Sequence, residues 1–170
     1  KTTRKEIIGL PNTPPPLVLK LYLLIEGKNI EVQKPLKYRK NDPVKGEVTT
    51  TFQVLPSATA NLNTPVQLFG TGQTKKVVVQ VKNLGKSFKS KLSLKSPESW
   101  VIEPSHQEVM IDGKGIEKEF IFNVTAPKSE EVVQLRPELT NDKEKIQSAI
   151  QEISYDHIPQ QYMIQPSFTR

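Results

Sequence analysis

Between Ser96 and Pro127 apolar side chains recur at every second position, interrupted by glycine-bearing turn sequence. Val109 and Ile111 share one face of a short run. Phe120, Phe122 and Val124 share one face of the next, with Glu119, Ile121 and Asn123 opposite. Side chains alternate across a strand, so a period of two predicts strands with one buried side. Asp112-Gly113-Lys114-Gly115 between the runs is turn chemistry. The only tryptophan, Trp100, stands between Pro97 and Pro104 at the start of the stretch. The pattern predicts a β-sandwich with Trp100 as a core plug.

Upstream, residues 1–16 read as an irregular arm, because Pro11, Pro14, Pro15 and Pro16 lack the amide donor a ladder needs. Ile7-Ile8 gives the arm a short apolar patch. Leu17, Leu19, Leu21, Leu23 and Ile25 alternate with Val18, Lys20, Tyr22 and Leu24, which predicts a strand mostly buried on both sides. Glu26-Gly27-Lys28-Asn29 turns the chain. Ile30 to Arg39 returns, with Pro35 marking an edge or a kink. Asp42-Pro43 followed by Gly46 is a second turn, and Val48, Thr50, Phe52 and Val54 form a third strand. Three strands are too few for a sandwich. They need a partner sheet, either from upstream chain or from the unit that follows. The boundary is placed after Pro56: residues 1–56 are an arm and a partial β-unit or incomplete Ig-like domain, and residues 57–170 are an Ig-like β-sandwich with a C-terminal extension.

In that second unit, Ala58 to Leu62 and Pro65 to Phe69 read as two short strands or one bulged strand. Val77, Val79 and Val81 point inward from Lys75–Lys82, and Leu92 and Leu94 from Phe88–Lys95. Val132, Val133 and Leu135 suggest another strand. Turn signals about every 8–12 residues match sandwich spacing. Residues 142–153 have two readings. Ile146, Ala149, Ile150 and Ile153 fit a helical stripe capped by Asn141 or Asp142. Asn141-Asp142-Lys143 also fits a hairpin turn, with Lys145 to Tyr155 as the return strand.

Composition narrows the chemistry. Hydrophobic residues make up 35% and there are 14 prolines, which suits a thin core with many turns better than a helical bundle. With no cysteine, disulfides, thiolate metal sites and cysteine nucleophiles are ruled out. Two histidines, His106 and His157, lie far apart in sequence and make a histidine-rich metal site improbable. The net charge is +6. Its lysines, such as Lys75, Lys82, Lys89, Lys91 and Lys95, are spread over strand positions and not interleaved with aromatics, so they read as solvated faces and guarded edges and not as a nucleic-acid platform. No apolar run approaches the ~18 residues of a membrane span, and no signal peptide is read at the basic start. The absence of an initiator Met suggests a fragment or processed piece.

Three segments together carry a family resemblance. Tyr38-Arg39 with Asp42-Pro43-Val44-Lys45-Gly46-Glu47 resembles a YR..DPV.GE signature. Trp100-Val101 with Pro104 resembles the W.V.P signature of the NPCBM-associated, α-galactosidase-type Ig-like domain. Ile153-Ser154-Tyr155-Asp156-His157-Ile158-Pro159 resembles an I.YDHIP signature. In this order they resemble the C-terminal, non-catalytic region of bacterial LmbE/PIG-L-type N-acetylglucosaminyl deacetylase proteins, from about Ile8 to Gln160. The resemblance implies an exported protein, periplasmic or extracellular, whose zinc-dependent domain lies upstream in the same polypeptide and would be this region's partner. That domain binds zinc through an Ala-His-Pro-Asp-Asp motif. No such string occurs here, so no catalytic, cofactor or metal residue carries over. The resemblance also implies a hairpin before YDHIP, which favours the strand reading of residues 145–155.

The candidate docking or ligand contacts are Trp100, Tyr155, Asp156 and His157. Trp100 could stack on a sugar, although a lone tryptophan beside a sandwich strand is more often core. Asp156 and His157 resemble a base with its orienting carboxylate, but adjacent strand residues point to opposite faces, so a tether for the last strand or a neighbouring domain is the commoner role. His106 beside Glu108 reads as a loop residue. Asn123-Val124-Thr125 matches a glycosylation sequon lying mid-strand. The expected function is that of an accessory region, with a glycan-binding module as the alternative and an adhesion-like sandwich with a pairing edge strand as a weaker third.

Overall fold

The alternating runs become strands in a computed structural model that describes residues 15–155 and 158–169. The described chain is all-β, without a helix. It divides into two units. One holds the chain up to Val54 together with Ser154–Gln160. The other holds Leu55–Ile153 and Gln161–Arg170.

The first unit is a chain of two hairpins. β1 (Val18–Ile25) pairs antiparallel with β2 (Lys28–Pro35), and β3 (Lys37–Asp42) with β4 (Gly46–Thr51). Only Leu36 separates β2 from β3, and it serves both ladders. Its amide donates to Leu17 O at 3.0 Å, and its carbonyl accepts from Phe52 N at 3.1 Å. Glu26 and Gly27 turn the first hairpin with φ of 50° and 76°, the left-handed pair that matches strand twist in a two-residue loop. The expected third strand stops at Thr51, short of Phe52 and Val54. Pro35 lies at the end of β2, where its missing donor costs no ladder bond.

The second unit is an Ig-like β-sandwich. β5 (Ala58–Leu62), β6 (Thr74–Asn83), β7 (Ser87–Lys95), β8 (Val101–Glu103), β9 (Gln107–Asp112), β10 (Glu117–Thr125), β11 (Arg136–Thr140) and β12 (Lys145–Ile146) supply two four-stranded sheets. Their orders are β5-β6-β10-β8 and β12-β11-β7-β9, all antiparallel. The first is the ABED order of an Ig sheet, and the second its GFC sheet with one added edge strand. β13 (Ser148–Tyr155) and β14 (Ile158–Pro166) form a further two-stranded sheet.

Alternation placed the core correctly. Val77, Val79 and Val81 from β6 and Phe122 and Val124 from β10 pack with Leu92 and Leu94 of β7, Val109 and Ile111 of β9 and Leu139 of β11. All are buried, as the inner faces of two aligned sheets require. Ile121, between two inward residues, faces out.

Several expected elements differ. Pro65–Phe69 is not a strand but a loop. Pro65 brings no donor, and the loop is held by side chains: Lys75 Nζ donates to Leu68 O, and Gly70 N to Gln73 Oε1. Val132 and Val133 also lie in loop, and the strand begins only at Arg136. Leu135 makes an isolated bridge to Thr169. Residues 142–153 are extended, without a helix. Leu139 pairs with Ile146, and the Asn61 side-chain amide clasps the Ile150 backbone through two bonds of 3.2 Å.

Phe122→Ala should lower unfolding free energy by about 3–5 kcal/mol, whereas Ile121→Ala on the outer face should change it by under ~0.5 kcal/mol. Urea unfolding of the two variants checks the assignment, and equal losses would contradict it.

Candidate functional site

Trp100 is half-buried. One side packs on the sandwich core, so it is partly the plug the sequence suggests. It also lines a cleft of about 440 Å³, within the range of small-molecule sites. The loop after β5, Val66–Thr71, forms one wall. The loop after β10, Pro127–Val133, forms the other. Phe69 meets the indole edge to face, with ring centroids 5.0 Å apart and planes at 87°, an arrangement favoured by the ring quadrupoles. Lys75 Nζ lies 5.7 Å from the Phe69 centroid.

A carboxylate fixes the tryptophan. Glu131 Oε1 accepts from Trp100 Nε1 at 2.8 Å and from Ser99 Oγ at 2.6 Å. The indole N–H therefore has the partner that a half-buried tryptophan requires. Leu68, 81% exposed, and Val132, 89% exposed, extend apolar surface along the walls. Thr169, also lining the cleft, is wholly buried, and its hydroxyl has no hydrogen-bond partner among the described residues.

Among the described residues, Tyr155, His106 and Glu108 are not part of this cleft's lining. Tyr155 ends β13, is 62% exposed and belongs with the first unit. Asp156 and His157 lie outside the described residues. His106 is exposed between β8 and β9, its Nδ1 3.2 Å from Ser105 Oγ. Glu108 is directed to Lys91 instead. The Thr125 hydroxyl of the sequon lies 2.8 Å from that of Thr74. Among the described residues no three His, Cys, Asp or Glu side chains are placed to hold a metal ion.

The YR..DPV.GE segment has a local physical account. Asp42 Oδ1 accepts from Lys45 N at 3.0 Å and Val44 N at 2.9 Å, closing an Asx turn around Pro43. Those two backbone donors hold the Asp42 carboxyl below its ordinary value. Gly46 supplies φ of 72°, and Arg39 Nε pairs with Glu47 Oε1 at 3.2 Å across the hairpin. Every one of these contacts shapes a turn.

Among the described residues Glu138 is the one buried acid. It lies on β11 opposite Ser93, on the side away from Leu139 and the core. Lys145 Nζ approaches Glu138 Oε2 at 2.8 Å, Gln147 Nε2 donates to it at 2.7 Å, and Lys95 Nζ lies 3.8 Å from Oε1. Burial pushes this carboxyl up, but the bonds from Lys145 and Gln147 and the two lysine charges outweigh it, and the net direction is down. With its partners supplied by neighbouring strands, Glu138 is a tie within the sandwich.

No pattern or motif in the sequence marks Glu131, Phe69 or Glu138 as functional. Trp100 and Glu131 are 31 residues apart and meet only because the β8 and β10 ends adjoin. Comparison with protein-family models and with curated proteins returns no match.

Glu138→Gln should cost about 1–3 kcal/mol at pH 7. A carboxyl lowered by folding contributes stability that is complete above its ordinary value of 4.5 and lost as pH falls below it. Denaturation of both proteins between pH 7 and 3 should show the difference shrinking with acidification. A gap independent of pH would contradict the charge network.

Proposed function

We infer that this chain is a non-catalytic accessory region of a PIG-L-type deacetylase protein that docks against or spaces the upstream catalytic domain. One observation carries the docking: the face of the β1–β2 hairpin. In its register Leu19, Leu21, Leu23 and Ile25 lie opposite Lys34, Val32, Ile30 and Lys28, and Leu17 is bonded to Leu36. Directly opposed residues share a face, so eight aliphatic side chains line one side of a two-stranded sheet, with a lysine toward each end. Leu17, Leu19, Leu21, Leu23, Ile25 and Ile30 keep 37–57% of their surface exposed. A two-stranded sheet is marginal in water, and a contiguous apolar face of this kind marks an interaction surface. The family resemblance of the flanking segments supports the deacetylase parentage, which also implies export.

A second reading, a glycan-binding module, is favoured by one feature, the Trp100 cleft.

Supplied with zinc, the isolated chain is expected to release no acetate from N-acetylglucosaminides, and turnover would end the accessory reading. Mixed with a separately expressed deacetylase domain, it should co-elute on gel filtration. Leu21→Asp with Leu23→Asp should abolish co-elution while the sandwich melts unchanged. Undiminished co-elution of that variant would rule out this face as the docking surface.

A further inference from the structure

We propose that the cleft between the loops 66–71 and 127–133 binds a neutral pyranose, with Trp100 and Leu68 as the apolar surface under the ring and Glu131 as the acceptor for its hydroxyls. This rests on the glycan-binding reading and assigns it a site, a sugar class and a polar residue.

A pyranose presents a C–H face ringed by hydroxyls. Its site needs an apolar surface and, beside it, an acceptor fixed in place. Both are present. Trp100 is wedged between the core and Phe69, and its indole N–H is tied to Glu131. The ring therefore enters the cleft with its rotation settled, and little ordering is left for binding to impose. The same contacts fix the acceptor. Ser99 and Trp100 both donate to Glu131 Oε1, while among the described residues Oε2 accepts no hydrogen bond. One carboxylate oxygen is anchored and the other is available at the edge of an apolar surface. The hydroxyl of buried Thr169 in the lining is a second polar group, without a hydrogen-bond partner among the described residues.

Charge selects among sugars. Glu130 and Glu131 both line the cleft, and their charge disfavours uronic acids and sulfated rings. A peptide fits less well. Extended peptides gain affinity by adding to a strand edge, and the walls here are loops without strand structure.

Trp100 is the only tryptophan, so intrinsic fluorescence reads the site directly. The whole chain is titrated with cellotetraose and chitotetraose, with a polyuronate and with an apolar basic peptide as controls. A saturable change in emission with a neutral oligosaccharide is expected, weakened at least about tenfold by Glu131→Gln, the effect of losing a charge-assisted hydrogen bond. Leu68→Ala, a change at an exposed side chain, should also weaken binding. Thermal melts of both variants should match the parent, which separates lost binding from lost folding where Trp100→Ala would not. No saturable change with either oligosaccharide would overturn the proposal. So would undiminished affinity in both variants, or a response to the peptide alone. None of these outcomes bears on the accessory reading, which stands or falls on deacetylase turnover and on docking by the β1–β2 face.

Discussion

Everything in the second unit depends on one constraint: the aliphatic inner faces of two four-stranded sheets must cover each other. Val77, Val79, Val81 and Phe122 on one side, with Leu92, Val109, Ile111 and Leu139 on the other, are almost wholly withdrawn from water. Burial of this kind is worth roughly 1.5–3 kcal/mol for each large side chain, and it fixes register, because a slip of one residue would turn every inward group outward. The loops inherit their positions from that register. The β5–β6 and β10–β11 loops meet over Trp100 because the ends of their strands adjoin, and the cleft is a product of sheet order and not of any contiguous motif.

The buried polar groups show the same dependence. Asn83 is fully buried, yet its amide donates to Gly113 O and accepts from Gly85 N, both at 2.9 Å. It ties the turn after β6 to the turn after β9 at one end of the sandwich. Glu138 ties β11 to Lys95 of β7 and Lys145 of β12. Such groups are tolerated inside because each has its partners, and each is costly if a partner is removed. Among the described residues the first unit contributes no buried aliphatic side chain. Its hairpins pair strand to strand, while the aliphatic face of β1–β2 stays exposed.

Of the segments that carry the family resemblance, the tryptophan segment lines the cleft through Trp100, whereas the YR..DPV.GE segment builds a turn. Asp42, Pro43 and Gly46 build a hairpin whose contacts are all local. The cleft uses Phe69 and Glu131, which belong to no motif. The tryptophan segment supplies one side chain of the cleft, and the fold brings Phe69 and Glu131 to it.

What the sequence determined by itself was local. A period of two set which residues of β6, β7, β9 and β10 face inward, since alternation follows from strand geometry alone. Gly27 and Gly46 set turns, because only certain residues reach positive φ cheaply. Tertiary structure decided where local chemistry was degenerate. Asn141 Oδ1 accepts from Lys143 N and Glu144 N, the same bonds a helix N-cap would make. The hairpin wins because Ile146 pairs with Leu139, and because Asn61, 89 residues from Ile150, clasps its backbone. The same holds for Trp100. Its residue type promised either a plug or a platform, and only the approach of Glu131 across 31 residues gave it a share of both.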